Sequence, residues 1–191
     1  MSRRPWVPSR NCASRARCGP GASMVWEIPQ AVHRALAGSA QTVQTCFNLI
    51  NPSAGVTVPS GFPFEDHEQL IHRATAEQVG VIAIRVLAGG ALSGSDQRHA
   101  NAAQSVDPIT SNVRFSEDVA FAQRFGFLVE QGHADSLVEA AIRFVVGHAG
   151  VSSTLIGISS FEQLEQAVES VEKGALSDAL WDGLESVWGS R

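Results

Sequence analysis

Apolar and polar positions along this chain follow two different periods. Short apolar runs bounded by turn residues predict strands over 42–50 and 81–86, and a third run ends at Gly157. Spacings of three and four between apolar residues predict helices over 27–37, 66–78, 117–130, 136–148, 161–172 and 178–188. Because helices separate the strands along the chain, we expect a parallel sheet and an α/β fold.

The predicted helix over 136–148 shows the pattern most clearly. Its apolar residues recur on one face, which we expect to pack on the sheet, whereas Glu139 and Arg143 are predicted to face outward. These two residues are four positions apart in the order that stabilises a helix. The chain thus predicts a helical layer over the sheet.

Each predicted strand leads into a turn that suits a ligand. The turn after 42–50 is Asn51-Pro52-Ser53-Ala54-Gly55, and the turn over 87–94 is rich in glycine, so its backbone N–H groups could face an anion. After Gly157, Ser159 or Ser160 can cap a helix, and Glu162 or Gln163 three residues later would complete a capping box. A helix start of this kind favours a phosphate or nucleotide site, and an ordinary capped turn accounts for it equally well.

Three segments in a fixed order resemble the aldo-keto reductases. They are residues 43–55, residues 80–94 and, above all, residues 141–164. The resemblance covers about residues 24–189 and only the carboxyl-terminal half of that family's barrel. It implies a partial (β/α)8 TIM barrel of about four strand-helix units, open at its edges.

The resemblance also implies a site for NADP(H), with NAD as the other choice. Gln44 falls where the family holds the nicotinamide carboxamide, and Leu87 and Gly89 fall in the loop beside the pyrophosphate. The positions that correspond to the grip on the 2′-phosphate and adenine are Gly157, Ser159 and Gln163. Three positions depart from the family pattern. Many members have an aromatic ring that stacks on the nicotinamide where this chain has Ile84, and an asparagine near the adenine where it has Ala167. Ser159 takes the place of a residue that is often basic.

The catalytic residues that the resemblance implies are missing. The family protonates a carbonyl with a tyrosine, helped by a lysine, an aspartate and a histidine, as hydride arrives from the nicotinamide. This chain has no tyrosine, and its only lysine, Lys173, follows the last matching motif. We therefore assign no catalytic residue, and whether the chain is an enzyme stays open.

Charge divides the chain into two parts. Residues 1–23 carry five arginines and no carboxylate, whereas residues 24–191 carry nine basic and nineteen acidic residues. We interpret 1–23 as a basic, disordered arm and 24–191 as the half-barrel; a targeting peptide or nucleic-acid arm is the alternative that its prolines disfavour. A truncated or frame-disrupted gene, with Met24 the first matching residue, would explain both the arm and the missing half.

Other features narrow the class of protein. Three cysteines at no ligand spacing favour reduced thiols and a cytoplasmic location over zinc or disulfides. We expect no metal, no nucleic-acid partner and no membrane span, and His67 and His72 are predicted to be solvated. The polar insert over 99–114 could form a lid on the cofactor, and Arg85 could reach a phosphate or pair with a carboxylate.

Two functions from different classes follow. The first is an aldo-keto-reductase-like oxidoreductase region that binds NADP(H) for hydride transfer to a carbonyl, with its catalytic half supplied elsewhere or lost. The second is a non-catalytic half-barrel or fragment that binds nucleotide weakly or assembles with a partner chain. Open strand edges predict self-association or a complementary half-barrel in either case.

Overall fold

The computed structural model describes His33, Leu36 and residues 40–103 and 114–189. Three parallel strands form its sheet in the order β1-β2-β3: β1 (Thr42–Cys46), β2 (Gly80–Ile84) and β3 (Ser153–Thr154). Thr42 pairs with Gly80, and Ile82 pairs with Ser153. Helices separate the strands, so the predicted α/β fold with a partial barrel is confirmed.

The helices are α1 (Leu70–Ala76), α2 (Phe115–Ala122), α3 (Phe127–Glu130), α4 (Leu137–Val146), α5 (Phe161–Glu172) and α6 (Trp181–Gly189). Three 3₁₀ segments, Ala88–Ser93, Gln123–Gly126 and Asp178–Leu180, lie between them. The predicted helix over 27–37 lies mostly outside the described residues, although His33 and Leu36 are helical. None of the helices within the described residues is long and apolar enough to cross a membrane.

Several predicted boundaries differ from the structure for local reasons. The first strand ends at Cys46 because Asn48 turns the chain, accepting hydrogen bonds from the N–H groups of Ile50 and Asn51, both at 2.9 Å. The first described full helix starts at Leu70, not at residue 66, because Glu68 and Gln69 have left-handed φ angles of 50° and 52°. The predicted helix over 117–130 is broken into α2, a 3₁₀ segment and α3.

Aromatic rings fill the core beneath β1. Phe47 packs on Phe144 with ring centroids 5.2 Å apart, and Phe144 lies 6.1 Å from Trp188. The Trp188 indole N–H donates to the Leu49 carbonyl at 2.8 Å, which ties the end of the chain to the turn after β1. The last helix thereby stabilises the loop that leads from β1 towards α1.

Two predictions of exposed polar residues are wrong. Glu139 is buried, because its carboxylate binds Arg143 at 2.9 Å and Lys173 at 2.7 Å in the contact between α4 and α5. His67 is also buried and precedes α1, and its backbone N–H donates to Ser53 Oγ at 2.9 Å. Burial is the larger cause that lowers the pKa of His67, so its ring is neutral at pH 7.

Candidate functional site

A cavity of about 670 Å³ opens where β2 and β3 end. Its wall begins with Arg85, directly after β2, and with Leu155, directly after β3. The start of α5 and one side of α4 complete the wall. Both the volume and the position at the carboxyl ends of parallel strands are typical of small-molecule sites in barrels and open α/β sheets.

Five of the six residues that the sequence selected for a cofactor line this cavity. They are Leu87, Gly89, Gly157, Ser159 and Gln163. The sixth, Gln44, lies in the middle of β1 beside Ile82, on the half-exposed side of the strand, and is outside the cavity lining. The structure therefore brings the proposed phosphate and adenine positions together and leaves the nicotinamide position apart.

The loop after β2 has an unusual backbone. Arg85 and Ala88 have left-handed φ angles of 57° and 48°, which side-chain-bearing residues seldom adopt, and Gly89 and Gly90 follow at 68° and 106°. Asn48 donates from its side-chain amide to the Arg85 carbonyl at 2.9 Å. Strain of this kind is common where a chain is shaped for a ligand, and the hydrogen bond from Asn48 helps to hold it.

Arg98 fixes the far end of the same loop. Its guanidinium donates to the carbonyls of Gly89 at 3.0 Å and Ala103 at 2.6 Å, and it lies 5.0 Å from the centroid of the Phe115 ring. The cation contacts the ring face as in other cation–π pairs. Arg98 thus joins the glycine turn, the loop before α2 and α2 itself around one side of the cavity.

The opposite side of the cavity is the capped start of α5. Ser160 is the N-cap, and its hydroxyl accepts from the Gln163 N–H at 3.4 Å. The Gln163 side chain accepts from the Ser159 N–H at 2.8 Å. The structure therefore selects Ser160 and Gln163 from the two pairs that the sequence left open, and confirms a reciprocal cap.

A hydrogen bond bridges the two sides of the cavity. The Asn101 side-chain amide donates to the Ser159 carbonyl at 3.3 Å. The predicted lid over 99–114 therefore reaches the α5 turn at least at Asn101, whereas residues 104–113 lie outside the described residues. Asn101 and Ser159 both line the cavity, so this hydrogen bond joins the insert to the α5 turn along its wall.

Gly157 leaves free space at the turn after β3. A Cβ added there would meet no atom within 4 Å, and the φ angle of Gly157 is not one that requires glycine. Protein packing therefore does not demand glycine at this position. The missing side chain leaves the backbone of this turn accessible from the cavity.

The charges around the cavity favour an anion. The lining includes Arg85, Arg98 and His99 and contains no aspartate or glutamate among the described residues. The Arg85 guanidinium makes no hydrogen bond or ion pair with another described residue. At the start of α5, the backbone N–H of Glu162 is the largest cause that lowers the pKa of that residue's own carboxyl, followed by the Ser160 hydroxyl. The helix start therefore stabilises negative charge.

Sequence reasoning missed several residues that shape this site. Arg98 and Phe115 lie beside the polar insert, where no periodicity marks them. Asn101 was predicted only as part of the possible lid over 99–114, and Asn48 only as part of a strand. The unusual length and polarity of the insert was the one available signal. Among the described residues, no group of three or more His, Cys, Asp or Glu side chains could hold a metal ion.

Comparisons with known proteins concern the family and the overall fold. The sequence profile of the Aldo/keto reductase family matches residues 59–188. The fold is similar to that of a solved structure, the aldo-keto reductase AKR11C1 from Bacillus halodurans in its holo form, with a TM-score of 0.58 and 17% sequence identity. The match covers 88% of this chain and 50% of the bacterial protein, so the chain spans about half the length of that reductase.

Proposed function

The chain belongs to the aldo/keto reductase family, and on that premise we propose that its cavity binds a phosphorylated nicotinamide cofactor, NADP(H). The cofactor carries a pyrophosphate and a 2′-phosphate, and the described lining, which has Arg85 and Arg98 and no carboxylate, suits that charge. Five of the six expected residues line this cavity, and its described lining residues include no carboxylate; this observation carries the proposal.

Different residues would bind different parts of the cofactor. The start of α5, with Ser159 and Gln163, would bind the adenosine 2′-phosphate end, where Gly157 allows the backbone to approach. The loop at Leu87 and Gly89 would border the pyrophosphate, and Arg85 is the cation available to neutralise it. Gln44 would hold the nicotinamide carboxamide from the neighbouring strand. When bound, the cofactor supplies hydride for a carbonyl substrate.

Hydride transfer also needs a proton donor, and the chain has no tyrosine to supply it. We therefore propose this chain as the cofactor-binding region of a carbonyl oxidoreductase. The second candidate is a half-barrel that binds the nucleotide without catalysis, which the missing tyrosine favours. A cytoplasmic location remains a prediction from the cysteine content.

A fluorescence titration of NADPH with the full chain tests the proposal, with light scattering to detect aggregates. We expect saturable binding, weakened at least about tenfold by Arg85→Met because a charge-assisted hydrogen bond is lost. Gly157→Trp should abolish binding because the ring would fill free space in the cavity. Gln131→Trp, at an exposed position after α3, is the matched control and should bind normally.

Two further outcomes are informative. NADH should bind more weakly than NADPH, because it lacks the 2′-phosphate that the α5 start would hold. Binding that Gly157→Trp leaves unchanged, or that appears only in aggregates, would contradict the proposed site. Turnover of a carbonyl substrate by the purified chain would separate the oxidoreductase from the non-catalytic half-barrel.

A further inference from the structure

The short segment 98–103 is attached to both sides of the cavity. Arg98 holds it to the loop after β2, because its guanidinium donates to the Gly89 carbonyl at 3.0 Å. The Asn101 side-chain amide donates to the Ser159 carbonyl at 3.3 Å, which attaches the segment to the turn before α5. The backbone of the segment is therefore held between the β2 loop and the start of α5.

The His99 ring is fixed within this segment, and its orientation leaves one nitrogen available. The Asn101 N–H donates to His99 Nδ1 at 3.1 Å, and the Ala102 N–H donates to the His99 carbonyl at 2.9 Å. Because Nδ1 accepts a hydrogen bond, the proton of the neutral ring is on Nε2. Nε2 makes no hydrogen bond with another residue that the structure describes, and His99 lines the cavity. His99 thus presents an N–H donor to a ligand there.

The side chains that α5 and the turn before it contribute to the cavity are uncharged. They are Ser159, Gln163 and Gln166 among the described lining residues. Both arginines of that lining are on the other side: Arg85 follows β2 directly, and Arg98 already binds two backbone carbonyls. An anionic group at the α5 side therefore needs a further donor.

The start of α5 has already used several of its own donors. The Ser159 N–H donates to the Gln163 side chain, and the Gln163 N–H donates to the Ser160 hydroxyl. The pKa of Glu162 is lowered mainly by its own backbone N–H and by the Ser160 hydroxyl, and less by the charge of His99. His99 therefore lies within electrostatic reach of this helix start. A phosphate bound here would need a donor from outside α5.

We propose that His99 selects for the phosphorylated cofactor, because its Nε2–H donates to an oxygen of the 2′-phosphate. The inference rests on the proposed function, since it needs the adenosine end of the cofactor at the α5 start. A hydrogen bond to an ionised phosphate is charge-assisted. NADH has a ribose hydroxyl at the same place, which accepts only a weaker, neutral hydrogen bond. His99 thereby contributes to the difference in affinity between the two cofactors.

Two substitutions at this position separate a ligand contact from a structural role. His99→Asn keeps an acceptor for the Asn101 N–H, as in an Asx turn, but its amide is too short to replace Nε2. His99→Gln gives up that local acceptor and keeps an N–H donor close to the position of Nε2. A structural role predicts damage from His99→Gln, whereas the proposed contact predicts damage from His99→Asn.

Fluorescence titrations of the full chain with NADPH and with NADH measure the effect. We expect His99→Asn to weaken NADPH binding about tenfold and NADH binding by less than about twofold, because only the phosphate contact is lost. His99→Gln should keep the ratio of the two dissociation constants within about threefold of the wild type. His133→Asn, outside the described lining of the cavity, is the matched control and should change neither constant. Circular dichroism spectra that match the wild type would show that each variant folds.

A competition experiment places the contact at the adenosine end. Adenosine 2′,5′-bisphosphate and adenosine 5′-monophosphate both lack the nicotinamide, and only the first carries the 2′-phosphate. The bisphosphate should displace NADPH from the wild type at a lower concentration than the monophosphate does. His99→Asn should remove most of this difference, because the two compounds differ only in the group that His99 would bind.

The outcomes distinguish this inference from the proposed function. If His99→Asn leaves the ratio of NADPH to NADH affinity unchanged, the inference is overturned, whereas NADPH binding that is lost on Gly157→Trp still supports the cofactor site. Equal losses of NADPH and NADH binding, or a loss from His99→Gln alone, would assign a structural role to His99 and overturn the inference as well. A wild-type chain that binds neither cofactor would overturn both proposals.

Discussion

Helix α5 reverses the usual arrangement of a surface helix, because its inner side carries small and polar groups and its outer side carries large apolar ones. Its inner side buries small and polar groups: Ala167 and Ser170 are buried, and the Gln166 amide donates to Ser136 Oγ at 3.2 Å. Its outer side exposes an apolar stripe, which consists of Phe161, Leu164, Val168 and Val171. The usual rule for amphipathic helices would place the stripe inward.

The difference shows what holds α5 in place within the described residues. A cluster of charges at the end of the helix attaches it to α4, because Lys173 binds Glu139 and Asp135 while Arg143 donates to the carbonyls of Gly174 and Ala175. The stripe residues Phe161, Leu164, Val168 and Val171 remain 42–67% exposed, so their burial adds less to this contact than full burial would. The inner side therefore stabilises the single chain, whereas the outer side would stabilise only an assembly.

Removal of the central carboxylate should break the inner contact most strongly. The Glu139 side chain is 5% exposed and binds two cations, and the Asp135 N–H also donates to it at 3.1 Å. Glu139→Ala leaves the half-buried Arg143 without its ion partner, and we expect a loss of about 3 kcal/mol in the free energy of unfolding. Urea denaturation measures it. Glu169→Ala, at an exposed position of α5, is the control and should change it by less than about 0.5 kcal/mol. Equal losses would contradict the contrast between the two sides.

Acid should weaken the inner contact by a smaller amount. Burial raises the pKa of Glu139, but hydrogen bonds from Lys173, Arg143 and the Asp135 N–H outweigh it and hold the pKa below its ordinary value. The folded carboxyl binds a proton less tightly than the unfolded one, so its contribution is complete above the unfolded pKa and is lost as pH falls through the folded pKa. Denaturation curves from about pH 6 to pH 3 should show this loss.

The control for acid is Glu139→Gln, which cannot titrate. Burial is the largest cause that lowers the pKa values of His67 and His148. The stability that these two neutral rings contribute to the folded protein is therefore also lost as pH falls, beginning below about pH 6.5. That histidine contribution should remain in Glu139→Gln, whereas the additional loss below about pH 4.5 should disappear. An identical pH dependence in both proteins would assign the acid sensitivity to other groups.

Local signals in the sequence predicted the parts of the fold that local contacts determine. Helix α5 spans Phe161–Glu172 as predicted, because Ser160 and Gln163 cap it within four residues. Two of the three predicted turns, 87–94 and the turn after Gly157, contribute residues to the cavity, since parallel strands bring their carboxyl ends to one edge, whereas no residue of the turn 51–55 does. Short-range chemistry was sufficient for the helix, and strand order decided which turns meet.

Contacts between distant residues explain what the sequence could not predict. Glu139 appeared to face outward because its partner Lys173 lies 34 positions away, so no spacing within α4 reveals the ion pair. No sequence pattern marked Arg98 as a site residue, because its partners are two backbone carbonyls and one ring face. The exposed stripe follows the same rule: periodicity predicts an apolar face, but only the arrangement of neighbouring elements decides whether this chain or another molecule covers it.

The smallest expected effect distinguishes the two sides of α5 at adjacent positions. Val171 is 47% exposed, so Val171→Ser should change the unfolding free energy of the dilute monomer by less than about 0.5 kcal/mol. At high protein concentration the same variant should melt at a lower temperature than the wild type, because a partner that binds only the folded chain raises its apparent stability. Thermal unfolding at two concentrations measures both.

Ser170→Val is the control, because it changes the buried neighbour of Val171. The Ser170 hydroxyl donates to the Gln166 carbonyl at 2.6 Å, and the effect of the substitution should be the same at both concentrations. A concentration-independent effect of Val171→Ser would mean that the outer side of α5 has no partner in solution.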